Sequence, residues 1–158
     1  MNRSDSTKMD WKLSLQADIS TLPQLHQVCT QFIPEIDGQV VFLLVGEMGS
    51  GKTEFVKQLL TLYLSRDVSI EIASPSYALH HQYKDQLHQV EHWDLYRLTS
   101  EDDLESVGFW ESFEQKNLSL IEWADKLNFS WLPRNRKYIK INFKHTGDLR
   151  EIFVYQAA

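Results

Sequence analysis

The chain has 158 residues, a net charge of −6 and a pI near 5.5, with 42% hydrophobic and 24% charged residues. This balance is typical of one globular domain that folds without a structural metal ion. The single cysteine, Cys29, excludes an internal disulfide. The acidic balance disfavours a protein that grips nucleic acid by itself, because such proteins usually carry a basic face. No stretch approaches the ~18 apolar residues of a membrane span, so we expect a cytoplasmic protein whose residues 1–9 form a flexible tail.

The first third of the chain predicts a strand, a helix and a buried strand. Apolar and polar residues alternate over Trp11–Leu15, which predicts a short strand. Either Ser20 or Thr21 can cap the helix that follows. The apolar stripe of that helix comprises Leu22, Leu25, Val28, Cys29 and Phe32. Val40–Val45 is apolar throughout, as expected for a strand buried on both faces of a parallel sheet.

The remaining elements alternate between strands and helices, which predicts an α/β protein with a mixed sheet. We predict helices over Thr53–Leu64 and Ser100–Ser106, strands over Val68–Ala73 and Leu118–Trp123, and antiparallel hairpins over Tyr77–Tyr83 with Leu87–Trp93 and over Tyr138–Lys144 with Glu151–Tyr155. The whole chain, residues 1–158, is predicted to be a single domain.

A phosphate-binding loop is the most specific signal in the chain. Residues 46–53 match the Walker A pattern Gly-x-x-x-x-Gly-Lys-Thr and lie between a buried strand and an amphipathic helix. Its glycines allow the backbone to approach phosphate, and its N–H groups form an anion nest that the helix N-terminus strengthens. Lys52 can bridge the β- and γ-phosphates, and the Thr53 hydroxyl can bind Mg²⁺. The predicted nucleotide-binding residues of the loop are Gly46, Glu47, Met48, Gly49, Ser50, Gly51, Lys52 and Thr53.

The loop also sharpens the prediction of the fold. We expect a three-layer fold like that of P-loop NTPases, with a mixed, mostly parallel central sheet and added antiparallel hairpins. The guanine-reading pattern Asn-Lys-x-Asp is absent, so ATP is favoured over GTP.

Two carboxylates can complete a magnesium site beside the loop. Glu122 ends the apolar run that begins at Leu118, and Asp94 ends another strand. The carboxyl ends of neighbouring parallel strands surround the phosphates in such folds. We expect Glu122 to bind Mg²⁺ together with Thr53, and Asp94 to position the attacking water or a switch segment. Lys52, Asp94 and Glu122 are therefore the candidate catalytic residues. Four histidines lie nearby at spacings that match no standard zinc site, namely His80, His81, His88 and His92.

Taken together, the motifs resemble the TsaE family, formerly YjeE, the ATPase of the bacterial tRNA threonylcarbamoyladenosine system. The blocks that carry the resemblance are the Walker A loop, Ser74-Pro75-Ser76-Tyr77, His92-Trp93-Asp94-Leu95-Tyr96-Arg97-Leu98 and Leu120-Ile121-Glu122-Trp123. They occur in the family's order and spacing, and the resemblance runs from about residue 10 to residue 154.

This resemblance implies nucleotide in the loop, Mg²⁺ at Thr53 and Glu122, and a role for Asp94 in ATP hydrolysis. It also implies a nucleotide contact from the hydroxyl of Ser76, where family members usually carry threonine. Further residues implied near the nucleotide are Asp18 and Thr21 in the N-terminal segment, and Gly147 and Arg150, which map onto the family's C-terminal Gly-Arg element.

The family resemblance further implies a function. The expected modification is made on adenosine 37 of tRNAs that read ANN codons, and the chain is expected to act through the TsaD–TsaB pair without transferring the group itself. Hydrolysis of ATP to ADP is expected to be slow in isolation, tRNA to be reached only through the complex, and no membrane to be involved. Two alternatives stay open, a small-molecule kinase with Arg134-Asn135-Arg136 as a basic lid and a nucleotide sensor whose hydrolysis is incidental.

Overall fold

The computed structural model describes residues 8–74 and 79–157, with the side chains of residues 70–74 left undescribed. Its strands are β1 (Trp11–Asp18), β2 (Val40–Val45), β3 (Ser69–Ser74), β4 (Leu79–Lys84), β5 (Gln89–Asp94), β6 (Leu118–Glu122), β7 (Lys137–Thr146) and β8 (Leu149–Ala157). Its helices are α1 (Leu22–Phe32), α2 (Lys52–Tyr63), α3 (Asp102–Ser106) and α4 (Phe109–Ser112). Four single 3₁₀ turns cover Ile33–Glu35, Phe113–Gln115, Ala124–Lys126 and Phe129–Trp131.

The described strands form one mixed sheet in the order β1-β8-β7-β2-β6-β5-β4-β3. The four central strands, β7, β2, β6 and β5, run parallel, and antiparallel pairs extend the sheet at both edges. Helices α1 and α2 cover one face, and α3, α4 and three of the 3₁₀ turns cover the other. The predicted three-layer α/β fold with a mixed sheet is therefore confirmed.

Strand β2 is buried on both faces because its successive side chains enter two different cores. Val40, Phe42 and Leu44 pack with α1 and α2, whereas Val41 and Leu43 pack with α3 and α4. All five side chains are fully buried, and each such burial stabilises the fold by about 1.5–3 kcal/mol. The strand therefore holds the loop that follows it in a fixed position.

The N-terminal region differs from the prediction in two details, the length of β1 and the exposure of Leu22, and it decides between the two predicted caps of α1. Strand β1 continues to Asp18 because it pairs with β8 along its length, past an irregularity between Leu13 and Leu15 that resets the alternation. Thr21 caps α1, and its backbone N–H donates in return to the side chain of Gln24. Placing Leu22 in the core stripe was wrong, because this side chain is 59% exposed while the other four members are buried.

The predicted tail, residues 1–9, lies mostly outside the described residues. Met9, its last member, is buried with the α3–α4 core, so the packed part of the chain includes residue 9. Glu101 occupies the N-cap position of α3, and the carboxylate of Asp103 accepts from the backbone N–H of Ser100. Gly108 follows the end of α3 and has a positive φ of 73°. No helix in the described part of the chain is long and apolar enough to cross a membrane.

The basic segment at residues 134–136 lies at the amino-terminal ends of the central strands, and the glycine loop lies at their carboxyl-terminal ends. Arg136 is 6% exposed and donates to the backbone oxygens of Gln39, Val40, Phe113 and Asn117, which lie near the beginnings of β2 and β6. Its guanidinium therefore connects the segments that lead into the amino-terminal ends of these strands. The predicted basic lid would require Arg136 to lie at the carboxyl-terminal ends, where the glycine loop is, so this position contradicts the lid.

A hydrogen-bonded aspartate fixes the turn between β4 and β5, and we expect it to make stability depend on pH. The carboxylate of Asp85 accepts from the backbone N–H groups of Ser65, Leu87 and His88 at 2.8, 2.8 and 2.6 Å. These bonds, led by that from Ser65, hold the pKa of Asp85 below its usual range. Because the folded-state pKa is depressed, the stabilisation is complete above the unfolded pKa of about 4 and is lost as pH falls below it.

Asp85→Ala should therefore lower the melting temperature at pH 7. The gap in melting temperature between the variant and the parent should narrow below about pH 4. Thermal unfolding followed by circular dichroism across this range measures the gap. Asp67→Ala, at an exposed aspartate of the preceding segment, is the matched control. A gap that stays constant with pH would contradict the assigned role of the carboxylate.

Candidate functional site

The glycine loop connects β2 to α2 in a shape that requires glycine at two positions. A Cβ on Gly46 would lie 2.7 Å from the Ser50 hydroxyl and 2.8 Å from the Phe143 carbonyl oxygen. Gly51 has a φ of 113°, a conformation that L side chains rarely adopt. The oxygen of Gly51 accepts from the N–H of Phe55 at 2.9 Å and so opens α2. The glycine loop therefore leads directly into a helix N-terminus, where backbone N–H groups bind anions.

Lys52 is the first residue of α2, and its ammonium group lies against the loop. Nζ donates to the carbonyl oxygens of Gly46 and of Glu47, the latter at 2.8 Å, and lies 4.3 Å from the centroid of the Trp123 ring. The residue is 5% exposed. Burial lowers the pKa of Lys52, and the negative charges of Glu122, Asp125 and Asp94 oppose this effect. Phosphate oxygens can replace the two carbonyl acceptors without leaving the ammonium group unpaired.

Thr53 and Glu122 form a pair of oxygen donors beside this lysine. The Thr53 hydroxyl donates to Oε1 of Glu122 at 3.0 Å, and Oε2 of Glu122 lies 2.7 Å from Nε2 of His92. Glu122 ends β6 directly opposite Asp94 at the end of β5, because the two residues are partners in the parallel ladder. Two carboxylates therefore lie side by side at the carboxyl-terminal ends of these parallel strands.

The donor set suits Mg²⁺ because it consists of a hydroxyl and a carboxylate, both hard oxygen ligands. No cluster of three or more His, Cys, Asp or Glu side chains capable of holding a metal occurs among the described residues. That is compatible with Mg²⁺ beside a nucleotide, which takes one or two protein ligands and completes its shell with phosphates and water. Thr53 and Glu122 thus fit the metal predicted for them.

A cavity of about 550 Å³ joins these groups, a volume in the range of small-molecule sites. The predicted residues that line it are Thr21, Met48, Gly49, Gly51, Lys52, Thr53, Asp94, Glu122 and Arg150. Arg150 enters from β8, where its Nε donates to the Gly49 carbonyl oxygen at 3.1 Å. Asp94 uses Oδ1 to accept from the N–H of Tyr96 at 3.0 Å, which fixes its carboxylate at the cavity wall.

Comparison with known proteins decides the family. The family model of the threonylcarbamoyl adenosine biosynthesis protein TsaE matches residues 19–152, most of the chain. The chain belongs to the TsaE family. This confirms the resemblance in the motifs.

Individual relatives agree with this assignment. The TsaE-family chain is 30% identical over 122 residues to the tRNA threonylcarbamoyladenosine biosynthesis protein TsaE of Rickettsia conorii, covering 70% of this chain and 68% of the relative. It is 34% identical over 113 residues to the protein of the same name from Borreliella burgdorferi, covering 71% and 78%. The crystal structure of Bacillus subtilis YdiB matches with a TM-score of 0.67 at 23% identity, covering 96% and 90%, which shows a shared fold.

Several predicted residues of this TsaE-family chain lie outside the cavity wall. Gly46, Glu47 and Ser50 belong to the loop but do not line the cavity. Asp18 accepts from the backbone N–H and hydroxyl of Ser20, and these bonds lower its pKa. Gly147 lies in the β7–β8 turn and is not among the described lining residues. Ser76 lies outside the described residues, so its contact with nucleotide stays a prediction.

The cavity also contains residues that sequence reasoning did not place there. Leu22 borders it because α1 begins at the cavity mouth, and Tyr96 and Trp123 line it with ring centroids 5.0 Å apart. Trp123 has a positive φ of 58°, which turns the chain sharply after Glu122. The position of Trp123 directly after the strand-ending Glu122 was the available signal for its place in the cavity.

Proposed function

We propose that this TsaE-family chain is a Mg²⁺-dependent ATPase required for threonylcarbamoyl modification of tRNA. The observation that carries the proposal is the meeting, in one cavity, of the loop, the Lys52 ammonium and the Thr53–Glu122 pair. A glycine loop alone would support anion binding. A lysine, a hydroxyl–carboxylate pair and a second carboxylate at the same edge support phosphoryl transfer from a nucleotide.

In the proposed reaction, water attacks the γ-phosphorus and the bond to the β,γ-bridging oxygen breaks, giving ADP and phosphate. Loop N–H groups and Lys52 would bind the β- and γ-phosphates and stabilise the negative charge that moves onto the leaving ADP in the transition state. Thr53 and Glu122 would hold Mg²⁺, which neutralises phosphate charge when bound. Asp94, fixed by its bond to the N–H of Tyr96, can accept a hydrogen bond from the attacking water and orient it.

The nucleoside end of the ligand is assigned to the part of the cavity beside α1. Ile19, Leu22 and Leu25 supply apolar surface there, and Thr21 and Arg150 supply polar groups. Adenine is favoured because the sequence lacks the guanine-reading pattern of GTPases.

The assigned partners are homologues of TsaD and TsaB, and the assigned compartment is the cytoplasm. Modification would occur on adenosine 37 of tRNAs that read ANN codons, and tRNA would be reached through the complex. The net charge of −6 agrees with this division of roles, because the chain has fewer cationic than anionic side chains and tRNA binding depends on cations that contact its phosphates.

A reconstitution tests this function. ATP hydrolysis is measured for the chain alone and after addition of TsaD and TsaB homologues from the same organism. We expect slow hydrolysis alone and a clear rise with both partners, together with co-elution of the three proteins in ATP. Partners that neither bind the chain nor change its turnover would contradict the proposal.

A further inference from the structure

The two oxygens of the Glu122 carboxylate have different partners. Oε1 accepts from Thr53 on the loop side, and Oε2 lies 2.7 Å from Nε2 of His92 on the neighbouring strand β5. Both residues of the second contact are buried, with side chains 10% exposed for His92 and 4% for Glu122. Since a carboxylate only accepts, Nε2 carries the hydrogen of this bond.

This second contact fixes the rotation of the carboxylate. A buried carboxylate is costly unless donors satisfy its oxygens. Without the His92 donor, Oε2 would lose its hydrogen bond and the group could turn about its terminal torsion, which is broad for glutamate. Oε1 would then be held toward Thr53 by the Thr53 hydroxyl alone.

His92 is itself held from the side away from the loop. Its Nδ1 lies 3.5 Å from the Tyr83 hydroxyl, and its ring lies 5.9 Å from that of His81, with the two rings nearly parallel. These three residues line a second cavity, of about 760 Å³, on the other side of Glu122. His92 is absent from the described lining of the nucleotide cavity, so it reaches that site only through Glu122.

We propose that His92 is a positioning residue for metal binding, acting through the carboxylate of Glu122. The inference rests on the proposed function, in which Glu122 is a magnesium anchor. Hydrogen bonds to metal-ligating carboxylates orient the ligand, and their loss weakens metal binding by about 10- to 100-fold. His92 would thus set metal affinity without touching nucleotide.

Metal affinity is measured directly, with Mn²⁺ as the probe in the presence of ADP, by electron paramagnetic resonance. His92→Leu should weaken Mn²⁺ binding at least about tenfold, while calorimetric ADP binding in EDTA stays close to that of the parent. His92→Gln should recover most of the affinity, because its amide nitrogen reaches the position of Nε2. His92→Asn should not recover it, because its amide nitrogen reaches only the position of Nδ1.

A matched control and a reference variant separate the possible failures. His26→Leu removes an exposed histidine of α1 that lies outside both cavity linings, and it should leave Mn²⁺ affinity near the parent value. Glu122→Gln gives the affinity expected when the anchor is lost. The decisive comparison is between Glu122→Gln and His92→Leu; if His92→Leu does not fold, His92→Asn takes its place. If Glu122→Gln loses Mn²⁺ binding while the His92 variant binds Mn²⁺ as the parent does, the role of His92 is overturned and the proposed function stands. A parent that binds no nucleotide would instead overturn the proposed function.

Discussion

Lys52→Ala is expected to weaken binding of both ATP and ADP by about 10- to 100-fold, because a hydrogen bond to a charged group contributes about 1.5–3 kcal/mol. Lys52 is the first residue of α2 and is 5% exposed, so its ammonium group is already confined beside the loop. Burial lowers the pKa of this group, and added phosphate charge would favour its protonated form. Calorimetric titration with each nucleotide measures the loss.

Lys57→Ala is the matched control for this effect. Lys57 lies on the same helix, with a side chain 66% exposed and a surface ion pair to Glu54, so its removal changes the net charge equally. Its nucleotide affinity should stay within about twofold of the parent, since Lys57 does not line the nucleotide cavity and salt screens an exposed charge. Equal losses in both variants would mean that overall charge, and not the position of Lys52, governs binding.

Glu122→Gln is expected to lower Mg²⁺-dependent ATP hydrolysis by about 100-fold or more, since a metal stabilises the transition-state charge by several kcal/mol. The loop amides remain, so ADP binding in EDTA should change little. The substitution keeps the shape of a side chain that is 3% exposed, which limits its effect on folding. Phosphate release at saturating ATP, measured over a series of Mg²⁺ concentrations, gives both the rate and the apparent metal affinity.

Asp125→Asn serves as the charge-matched control, because Asp125 is exposed and acts on Lys52 through its charge without lining the cavity. It should retain most of the hydrolysis rate. If Glu122→Gln hydrolyses ATP at the parent rate, Glu122 is not the metal anchor. Full tRNA modification by a Glu122→Gln protein that no longer hydrolyses ATP would favour the nucleotide sensor over the ATPase.

The elements nearest the loop were predictable because local pattern and tertiary environment agree there. Val40–Val45 was predicted at its observed bounds, since an unbroken apolar run can satisfy both cores only as a central strand. The Walker A pattern lies between a predicted strand and a predicted helix, and this context identified Lys52 and Thr53, which line the cavity. Glu122 and Asp94 were found because the carboxyl ends of parallel strands share one edge.

Other features depend on contacts that no local pattern reports. Leu22 was assigned to the core by helical periodicity, but α1 begins at the cavity mouth and leaves this side chain 59% exposed. The hydrogen bond of His92 to Glu122 depends on the alignment of β5 with β6, which are separated along the chain by α3 and α4. Arg136 looked like a surface cation within a basic run, yet it is buried because carbonyl oxygens of four residues surround its guanidinium.

Calorimetric titration of the purified, folded chain with Mg-ATP and Mg-ADP tests most directly whether the loop binds a polyphosphate. We expect saturable binding of one nucleotide per chain, with AMP binding much more weakly because it lacks the phosphates that the loop and Lys52 contact. A folded sample that gives no binding heat with either nucleotide at millimolar concentration, and no change in tryptophan fluorescence, would contradict the assignment of this cavity to ATP.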